Sequence, residues 1–296
     1  MIRKLIVVFF ILSLFSAGVS FAQQEKGGSQ MIELINQIKK TVVFLGKNAE
    51  GGKIQFYATG FLVNIQNIFY LVTAKHVVVD PKTGEFIDSG MLVFFNLKDG
   101  KIGSRSLDEI KKTFTINWIF HENKDIDIAI IPFGLDLQKD DVKTIPDKLF
   151  LGTDRLFELY DVFFLSYQPG IQPQKRISPV IRNGTISLIN NDKTFYIDAS
   201  AFPGNSGSPV FLKPSPIRFD EGSISIGGED QLGGKFIGII GEYLPYQEVA
   251  ISTQTGRPRV IFEENTGLSK VWSVTFINDI VESAVFKQQL EKVMKK

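Results

Sequence analysis

The clearest β-strand pattern of this chain lies in KIQFYATGFLVNIQNIFYLVT, residues 53–73. It contains two runs, 53–63 and 68–73, in which aromatic and β-branched residues dominate, as is typical of β-strands. Similar runs occur elsewhere, divided by clusters of Asn, Gly, Asp and Pro such as 47–52 and 80–84. They occupy 41–46, 91–97, 114–120, 127–133, 160–167, 184–190, 194–200, 208–212 and 235–243. Many short strands separated by turn signals predict an all-β sandwich or barrel.

Helices are predicted only near the two ends of this β-rich region. Residues 31–40 place apolar side chains at helical spacing, and 278–296 have the apolar pattern of a terminal helix that packs on the second β unit. Residues 135–148 are polar and charged, which favours a connection between two β units. The stretch 213–234, rich in Pro, Gly, Ser and acidic residues, predicts a long surface loop.

Composition excludes several kinds of site. The 296 residues include 33 Lys and Arg against 32 Asp and Glu, so no global basic field attracts nucleic acid. The chain has no cysteine, which rules out disulfides, thiolate metal sites and a cysteine nucleophile. Its histidines are His76 and His121, too few for a three-histidine zinc centre. We therefore expect neither a metal nor another cofactor.

The N-terminus has the pattern of an export signal. Basic residues precede an apolar stretch, residues 5–15, and the small residues Ser20 and Ala22 stand at the positions that a signal peptidase reads. The apolar run is shorter than the roughly 20 residues that cross a bilayer. We expect residues 1–22 to be a cleaved signal peptide and the mature protein to be periplasmic or secreted from a bacterium. The alternative is an uncleaved membrane anchor.

Three short contexts carry the residue types of a nucleophilic catalytic site. His76 lies in TAKHVV, Asp127 in DIDIAII and Ser206 in FPGNSGSP. A hydroxyl nucleophile needs a base that takes its proton and a carboxylate that orients the base. Glycines flank Ser206, so a tight turn there can direct the N–H groups of Gly204 and Ser206 at one point, as an oxyanion hole requires.

Each context also has a plainer explanation. A lone histidine is more often packed or exposed, and a Gly-Ser-Pro turn is common on protein surfaces. Asp125 shares a strand face with Asp127, and both carboxylates can be solvated residues of an edge. Chain order narrows the possibilities, since both histidines precede Ser206, unlike in an α/β-hydrolase, and no Asp precedes His76, unlike in a subtilisin. The arrangement that remains is His, Asp, Ser.

Four segments together resemble the trypsin-like serine peptidases, in particular their bacterial cysteine-free branch that includes the Deg/HtrA proteases. They are TGFLV (59–63), YLVTAKHVV (70–78), DIAII (127–131) and DASAFPGNSGSPV (198–210). The resemblance implies two six-stranded antiparallel β-barrels of the trypsin-like type with a C-terminal helix, and an active site in the cleft between the barrels. It also implies that His76 is the general base, Asp127 the orienting acid and Ser206 the nucleophile. Gly204 and Ser206 would donate the oxyanion hole.

The resemblance also suggests how the chain is divided. After the signal peptide, we expect an N-terminal barrel over 31–135, a connection over 136–158, and a C-terminal barrel with its terminal helix over 159–296. The residues after the last predicted strand are too few for the PDZ domain that Deg proteases carry, so none is expected.

Departures from the family pattern concern specificity and activation. Ser200, Gly241 and Tyr243 are assigned to the substrate pocket by the resemblance. Ser200 at the pocket floor argues against an acidic floor that selects Arg or Lys, and Tyr243 at a position usually held by glycine would narrow the pocket toward small apolar side chains. Asn205 stands where activated trypsins carry an Asp that pairs with a freed N-terminus. Activation by that salt bridge is therefore not expected.

The function expected is that of a secreted serine endopeptidase that cleaves polypeptides through an acyl-enzyme. The alternative is a catalytically resting or inactive, chaperone-like module that binds proteins on the same fold, and an esterase is a third reading. Neither nucleic acid nor a metal is expected as a partner, and a membrane only if the signal peptide is retained.

Overall fold

A computed structural model describes residues 32–173, 175–215, 217–220, 223–226 and 233–294. The chain forms two compact units, Met1–Lys39 and Lys40–Lys296. In the first unit the described residues form helix α1, residues 32–39, within the predicted helix 31–40. The predicted signal peptide, 1–22, lies outside the described residues. Over the described ranges, no helix has both the length and the apolar character needed to cross a bilayer.

The N-terminal half of the second unit is an eight-stranded sheet. Its strands are β1 (Val42–Asn48), β2 (Ile54–Ile65), β3 (Ile68–Thr73), β4 (Leu92–Asn96), β5 (Ile102–Ser106), β6 (Ile119–Phe120), β7 (Ala129–Pro132) and β8 (Ile145–Pro146). Their order is β5-β4-β1-β2-β3-β7-β6, and β8 pairs in parallel with β2. Helix α2 (Leu107–Phe114) follows β5 and begins where the Ser106 hydroxyl accepts the N–H of Glu109. Buried apolar residues such as Leu62, Leu71 and Ile131 form the core of this half.

The C-terminal half is a closed barrel of six antiparallel strands. They are β9 (Asp161–Ser166), β10 (Val180–Ile189), β11 (Thr194–Asp198), β12 (Pro209–Leu212), β15 (Phe236–Ile251) and β16 (Pro258–Ser273). The order around the barrel is β10-β11-β16-β15-β12-β9. Its interior is filled by alternate, fully buried side chains such as Val162, Phe164 and Ile197. Alternation of buried and exposed residues is what the β-branched and aromatic runs of the sequence predict for a barrel wall.

The predicted loop 213–234 contains a small hairpin. Strands β13 (Ile217–Asp220) and β14 (Ser223–Ile226) pair with each other in antiparallel register. The residues of this loop at 216, 221–222 and 227–232 lie outside the described ones.

Two helices close the described chain where one terminal helix is predicted. They are α3 (Thr275–Glu282) and α4 (Ala284–Met294), and Ser283 between them has extended backbone angles. The apolar face of α3, which includes Phe276 and Ile280, is buried. Helix α3 therefore packs by the amphipathic pattern that the sequence shows.

The all-β fold class and the six-stranded C-terminal barrel are confirmed. The N-terminal half differs in detail from the expected six-stranded antiparallel barrel, because it is a sheet of eight strands with one parallel pair. Strand β8 contains only two residues, too few for a composition pattern to reveal. Helix α2 also ends inside the predicted strand 114–120, of which only Ile119–Phe120 is extended and paired.

Candidate active site

His76 and Asp127 are brought together by the pairing of two neighbouring strands. His76 lies in a single 3-10 turn, Lys75–Val77, which follows β3, and Asp127 lies just before β7. In the β3–β7 register Thr73 is opposite Ala129, so the end of one strand adjoins the start of the other. This register places the carboxylate beside the histidine.

Both oxygens of Asp127 hold His76. Oδ2 lies 2.7 Å from Nδ1 of the imidazole, and Oδ1 accepts the backbone N–H of His76 at 2.8 Å. A carboxylate that accepts at Nδ1 keeps the proton there, which leaves Nε2 free to accept a proton. Asp125 lines the same cavity, but in the described structure it makes no hydrogen bond to His76. The carboxylate that contacts the imidazole is therefore that of Asp127, and not that of Asp125.

Ser206 lies in a turn that requires glycine at two positions. Gly204 and Gly207 have φ of 95° and 83°, in the left-handed region that disfavours residues with a Cβ atom. A Cβ on Gly207 would also lie 2.3 Å from the carbonyl oxygen of Thr59. The N–H of Gly207 donates to the carbonyl of Ile240 at 2.9 Å, which ties the turn to β15. The backbone conformation of this turn therefore requires the glycines that the sequence shows on either side of Ser206.

The buried side chain of Asn205 stabilises this turn through hydrogen bonds. Its side chain is fully buried, its Oδ1 accepts the N–H of Phe202 at 2.9 Å, and its Nδ2 donates to the carbonyl of Tyr167 at 2.6 Å. The sequence indicated only that Asn205 is not an aspartate. In the structure, a neutral amide satisfies buried backbone groups where an unpaired carboxylate would be costly. The turn is thus ordered without an ion pair.

Thr59 fastens the same turn to the N-terminal sheet. Its buried Oγ1 donates to the carbonyl of Gly204 and accepts the N–H of Tyr167, both at 2.8 Å, and its own N–H donates to the carbonyl of Ser206 at 3.3 Å. One side chain of β2 therefore links the turn that contains Ser206 to the segment that follows β9. Sequence reasoning did not find this role, because it depends on contacts between residues more than a hundred positions apart.

Replacement of Thr59 by valine is expected to lower the free energy of unfolding by about 1–3 kcal/mol, because it leaves the buried N–H of Tyr167 and carbonyl of Gly204 unpaired. The shape of the side chain is nearly unchanged, so packing is kept. Urea denaturation of the two proteins measures the difference. Thr185→Val is the control, because the Thr185 hydroxyl makes only a 3.3 Å bond at an exposed position and its loss should have little effect. Equal stability of wild type and Thr59→Val would contradict the proposed link.

The two N–H groups assigned to the oxyanion hole are available. Within the described part of the chain, neither Gly204 nor Ser206 uses its backbone N–H in a hydrogen bond to another protein group. Unpaired donors beside a nucleophile are what an oxyanion requires. The hydroxyl of Ser206 likewise has no hydrogen-bond partner among the described residues, His76 included.

His76 and Ser206 lie on the border between two open cavities. The larger, of about 640 Å³, also contains Asp127, and the smaller, of about 410 Å³, contains Gly204. His76, Pro203 and Ser206 line both. Ser206 is thus accessible from two sides, and a chain can extend away from it in both directions.

Two of the three residues assigned to the substrate pocket line the larger cavity. They are Gly241 and Tyr243, whereas Ser200 is not among the lining residues and its neighbours Ala201 and Phe202 are. A Cβ on Gly241 would lie 2.5 Å from Nε1 of Trp272, so glycine allows the indole to pack beneath this wall. The hydroxyl of Tyr243 donates to the carboxylate of Glu263.

The second histidine, His121, has a structural position away from both cavities. It is half-buried, and its Nδ1 accepts the N–H of Asn123 at 3.0 Å. Its ring packs edge-on against Phe276, with centroids 5.6 Å apart, and its Nε2 lies 3.7 Å from Oδ2 of Asp279. These contacts join the β6–β7 connection to α3. In the described ranges, no group of three or more His, Asp or Glu side chains is arranged to hold a metal ion.

The pKa of His76 is raised above its usual value. Burial alone would lower the pKa, but the hydrogen bond and negative charge of Asp127 outweigh burial, and the charge of Glu242 adds to their effect. Glu242 lines the larger cavity next to Gly241. Nothing in the sequence pointed to Glu242, because its influence arises only where β15 passes the imidazole.

Removal of the Glu242 charge is expected to shift the pH dependence of activity. A base must be neutral to accept a proton, so kcat/KM falls as the pH drops through the pKa of His76, which lies above the ordinary 6.5. Glu242→Gln removes a charge that raises this pKa, so the acid limb should move to lower pH. Profiles of kcat/KM from about pH 5 to 9 measure the shift. Glu109→Gln in α2, outside the cavity, should leave the limb in place, and an unmoved limb in Glu242→Gln would contradict the assignment.

Comparison with known proteins supplies two similarities. A family model described as the trypsin-like peptidase domain matches residues 58–214, a range that contains His76, Asp127 and Ser206. The crystal structure of the serine endoprotease from Yersinia pestis is similar, with a TM-score of 0.45 and 14% sequence identity. That similarity covers 86% of this chain and 65% of the Yersinia chain, so this chain spans slightly less than two thirds of its length. No curated protein matches.

Proposed function

Because this chain belongs to the family of trypsin-like peptidases, we propose that it is a serine endopeptidase in which His76, Asp127 and Ser206 form the catalytic triad. The family expected from the sequence motifs is thereby confirmed. The observation that carries the proposed triad is the two-point attachment of His76 to Asp127 in the cavity that also contains Ser206.

The proposed reaction follows from the positions of these groups. The Ser206 Oγ attacks the carbonyl carbon of a peptide bond while Nε2 of His76 takes the hydroxyl proton, and Asp127 stabilises the resulting imidazolium. The negative charge that develops on the carbonyl oxygen is met by the N–H groups of Gly204 and Ser206. His76 then gives its proton to the leaving amine as the C–N bond breaks. Water, deprotonated by His76, hydrolyses the acyl-enzyme and restores the Ser206 hydroxyl.

Cleavage within a chain, and not only at its ends, is supported by the two cavities. Each is open, and they meet at Ser206, so substrate residues on both sides of the scissile bond have space. The substrate class we propose is therefore polypeptide in an extended conformation.

A resting or inactive module that binds proteins is the second candidate. It is favoured by one observation, the absence of a hydrogen bond from the Ser206 hydroxyl to His76 in the described structure. Catalytic hydrogen bonds are often long before substrate binds and shorten in the complex, so this geometry is compatible with the enzyme as well.

A fluorophosphonate probe separates the two candidates. An active site in which His76 deprotonates Ser206 should form a covalent adduct at that residue, which peptide mass spectrometry locates. Ser206→Ala should remain unlabelled. A folded wild-type protein that does not react would favour the binding module. Rapid hydrolysis of short esters with no cleavage of casein would instead support an esterase.

Export of the protein is a further part of the proposal, and it rests on the signal-like sequence of residues 1–22. N-terminal sequencing of the protein recovered from the periplasm or medium of a bacterial host should show a start near Gln23. Recovery only from the membrane fraction, with residues 1–22 intact, would support the anchor.

A further inference from the structure

Strands β15 and β16 continue far beyond the barrel as a hairpin arm, residues 244–265. Inside the barrel, β15 has two neighbours, and its pairs with β12 end at Ile239. From Tyr243 to Ile251 its pairs are with β16 alone. Among the described residues, no strand pairs with the other edge of β15 over this length. The arm therefore presents a free backbone edge.

The free edge begins inside the candidate active site. Gly241, Glu242 and Tyr243 line the cavity that contains His76 and Ser206, and the same strand then runs out into the arm. At an extended rise of about 3.4 Å per residue, the segment 241–251 is roughly 35 Å long. The strand thus runs from the cavity to the end of the arm, although its register with β16 shifts between 240 and 243, between 243 and 245 and between 250 and 251, and Pro245 offers no N–H to a partner.

Apolar side chains on both strands of the arm remain exposed. On β15 they are Leu244, Tyr246, Val249 and Ile251, and on β16 they are Val260, Ile261 and Phe262, with exposed fractions of 41% to 63%. Residues directly opposite in an antiparallel pair share a face. One face therefore carries Val249 with Ile261, and the other carries Ala250 with Val260. An arm that is apolar on both faces is typical of a surface that binds another chain.

The base of the arm is held in one orientation. The carboxylate of Glu263 accepts from the hydroxyl of Tyr243 and, at 2.8 Å, from Nε2 of Gln247. The hydroxyl of Thr266 donates to the carbonyl of Leu244 at 2.6 Å. These cross-strand bonds stiffen the junction between cavity and arm, so a bound strand would meet a preformed edge.

We propose that the free edge of β15 over 244–251 binds the substrate segment that precedes the scissile bond, by addition of an antiparallel strand. The inference rests on the proposed endopeptidase function. β15 runs away from Ser206, so an antiparallel partner runs toward it and delivers its C-terminal end to the nucleophile. Antiparallel pairing is also the more frequent and more stable arrangement.

The occupant is an unfolded polypeptide with apolar residues at alternate positions. Backbone hydrogen bonds to the edge supply affinity that is independent of sequence, and alternate side chains pack against the apolar residues of the arm. Glu248, Glu263 and Glu264 in the arm and Glu242 just before it make this region acidic, so acidic substrate segments are disfavoured. The enzyme would then favour long unfolded chains over short peptides.

Two fluorogenic peptides with the same residues around the scissile bond test the proposal. One has four residues before the cleaved bond, and the other has about ten, with Val and Thr alternating, to match the length of the edge. The wild type should cleave the long peptide with a kcat/KM about tenfold higher than the short one. The double variant Val249→Ser with Ile261→Ser should lose about tenfold on the long peptide and nothing on the short one. Leu188→Ser, at an exposed residue of β10, is the matched control and should change neither value.

Binding to Ser206→Ala protein separates this proposal from the catalytic one. Fluorescence anisotropy should show that the long peptide binds about tenfold more tightly than the short one, and that the two serines on the arm abolish the difference. This measurement needs no turnover, so it stands even if fluorophosphonate labelling fails. Equal affinity for both peptides overturns the proposal, as does an equal loss for both in the arm variant. A third result also overturns the proposal: the wild type forms an oligomer, and the arm variant is monomeric but keeps the wild-type peptide preference. The arm would then join two copies of this chain.

Discussion

Ser206→Ala should lower kcat on a peptide substrate by about a million-fold and leave the fold intact. The change removes the oxygen that would form the acyl-enzyme, and residual hydrolysis would depend on substrate binding and oxyanion stabilisation alone. No structural loss accompanies it, because the hydroxyl has no hydrogen-bond partner in the described structure. The measurement is turnover of a fluorogenic peptide, with circular dichroism and thermal unfolding as checks of the fold.

Ser208→Ala provides a matched control for this result. Ser208 is two residues further along the same turn, is fully buried, and has a hydroxyl without a partner among the described residues. Its removal should be neutral or slightly stabilising and should leave kcat within a few-fold of wild type. If Ser206→Ala retained substantial turnover while Ser208→Ala lost it, the nucleophile would be wrongly assigned.

Asp127→Asn should lower kcat by about 10⁴-fold. Both carboxylate oxygens accept from His76, one from the backbone N–H and one at Nδ1. An amide offers only one oxygen, and its NH₂ group is a donor. If the oxygen keeps the backbone N–H, the NH₂ faces Nδ1 and favours the tautomer with its proton on Nε2. In that tautomer His76 cannot accept the Ser206 proton.

Asp125→Asn is the control for the carboxylate. Asp125 lines the same cavity and makes no hydrogen bond to His76 in the described structure, so its change should alter kcat no more than a few-fold. The fluorophosphonate reaction rate of each variant reports the same step without a substrate. Comparable losses in the two variants would show that the cavity needs negative charge in general and not a specific bond to the imidazole.

Local patterns predicted most of the strands because burial in a barrel wall leaves a strong signature. The runs 53–63, 68–73 and 160–167 agree closely with β2, β3 and β9, whose side chains are mostly buried. Strand β16 was not predicted, because much of it lies in the exposed arm and carries Glu, Arg, Asn and Thr. Pairing with β15, and not burial, keeps that part extended. A strand that is exposed on both faces and held only by pairing has no alternation of apolar and polar residues in its own sequence.

Sequence patterns alone were enough to predict the class of fold, the family and the three contexts around His76, Asp127 and Ser206. These depend on composition, local spacing and chain order, which are properties of short segments. Three further features became visible only in the folded chain. Asp127, and not Asp125, contacts the imidazole, Thr59 hydrogen-bonds the turn that contains Ser206, and the charge of Glu242 raises the pKa of His76. Each of these depends on strand register and on contacts between distant parts of the chain, where a shift of one residue turns a side chain to the opposite face.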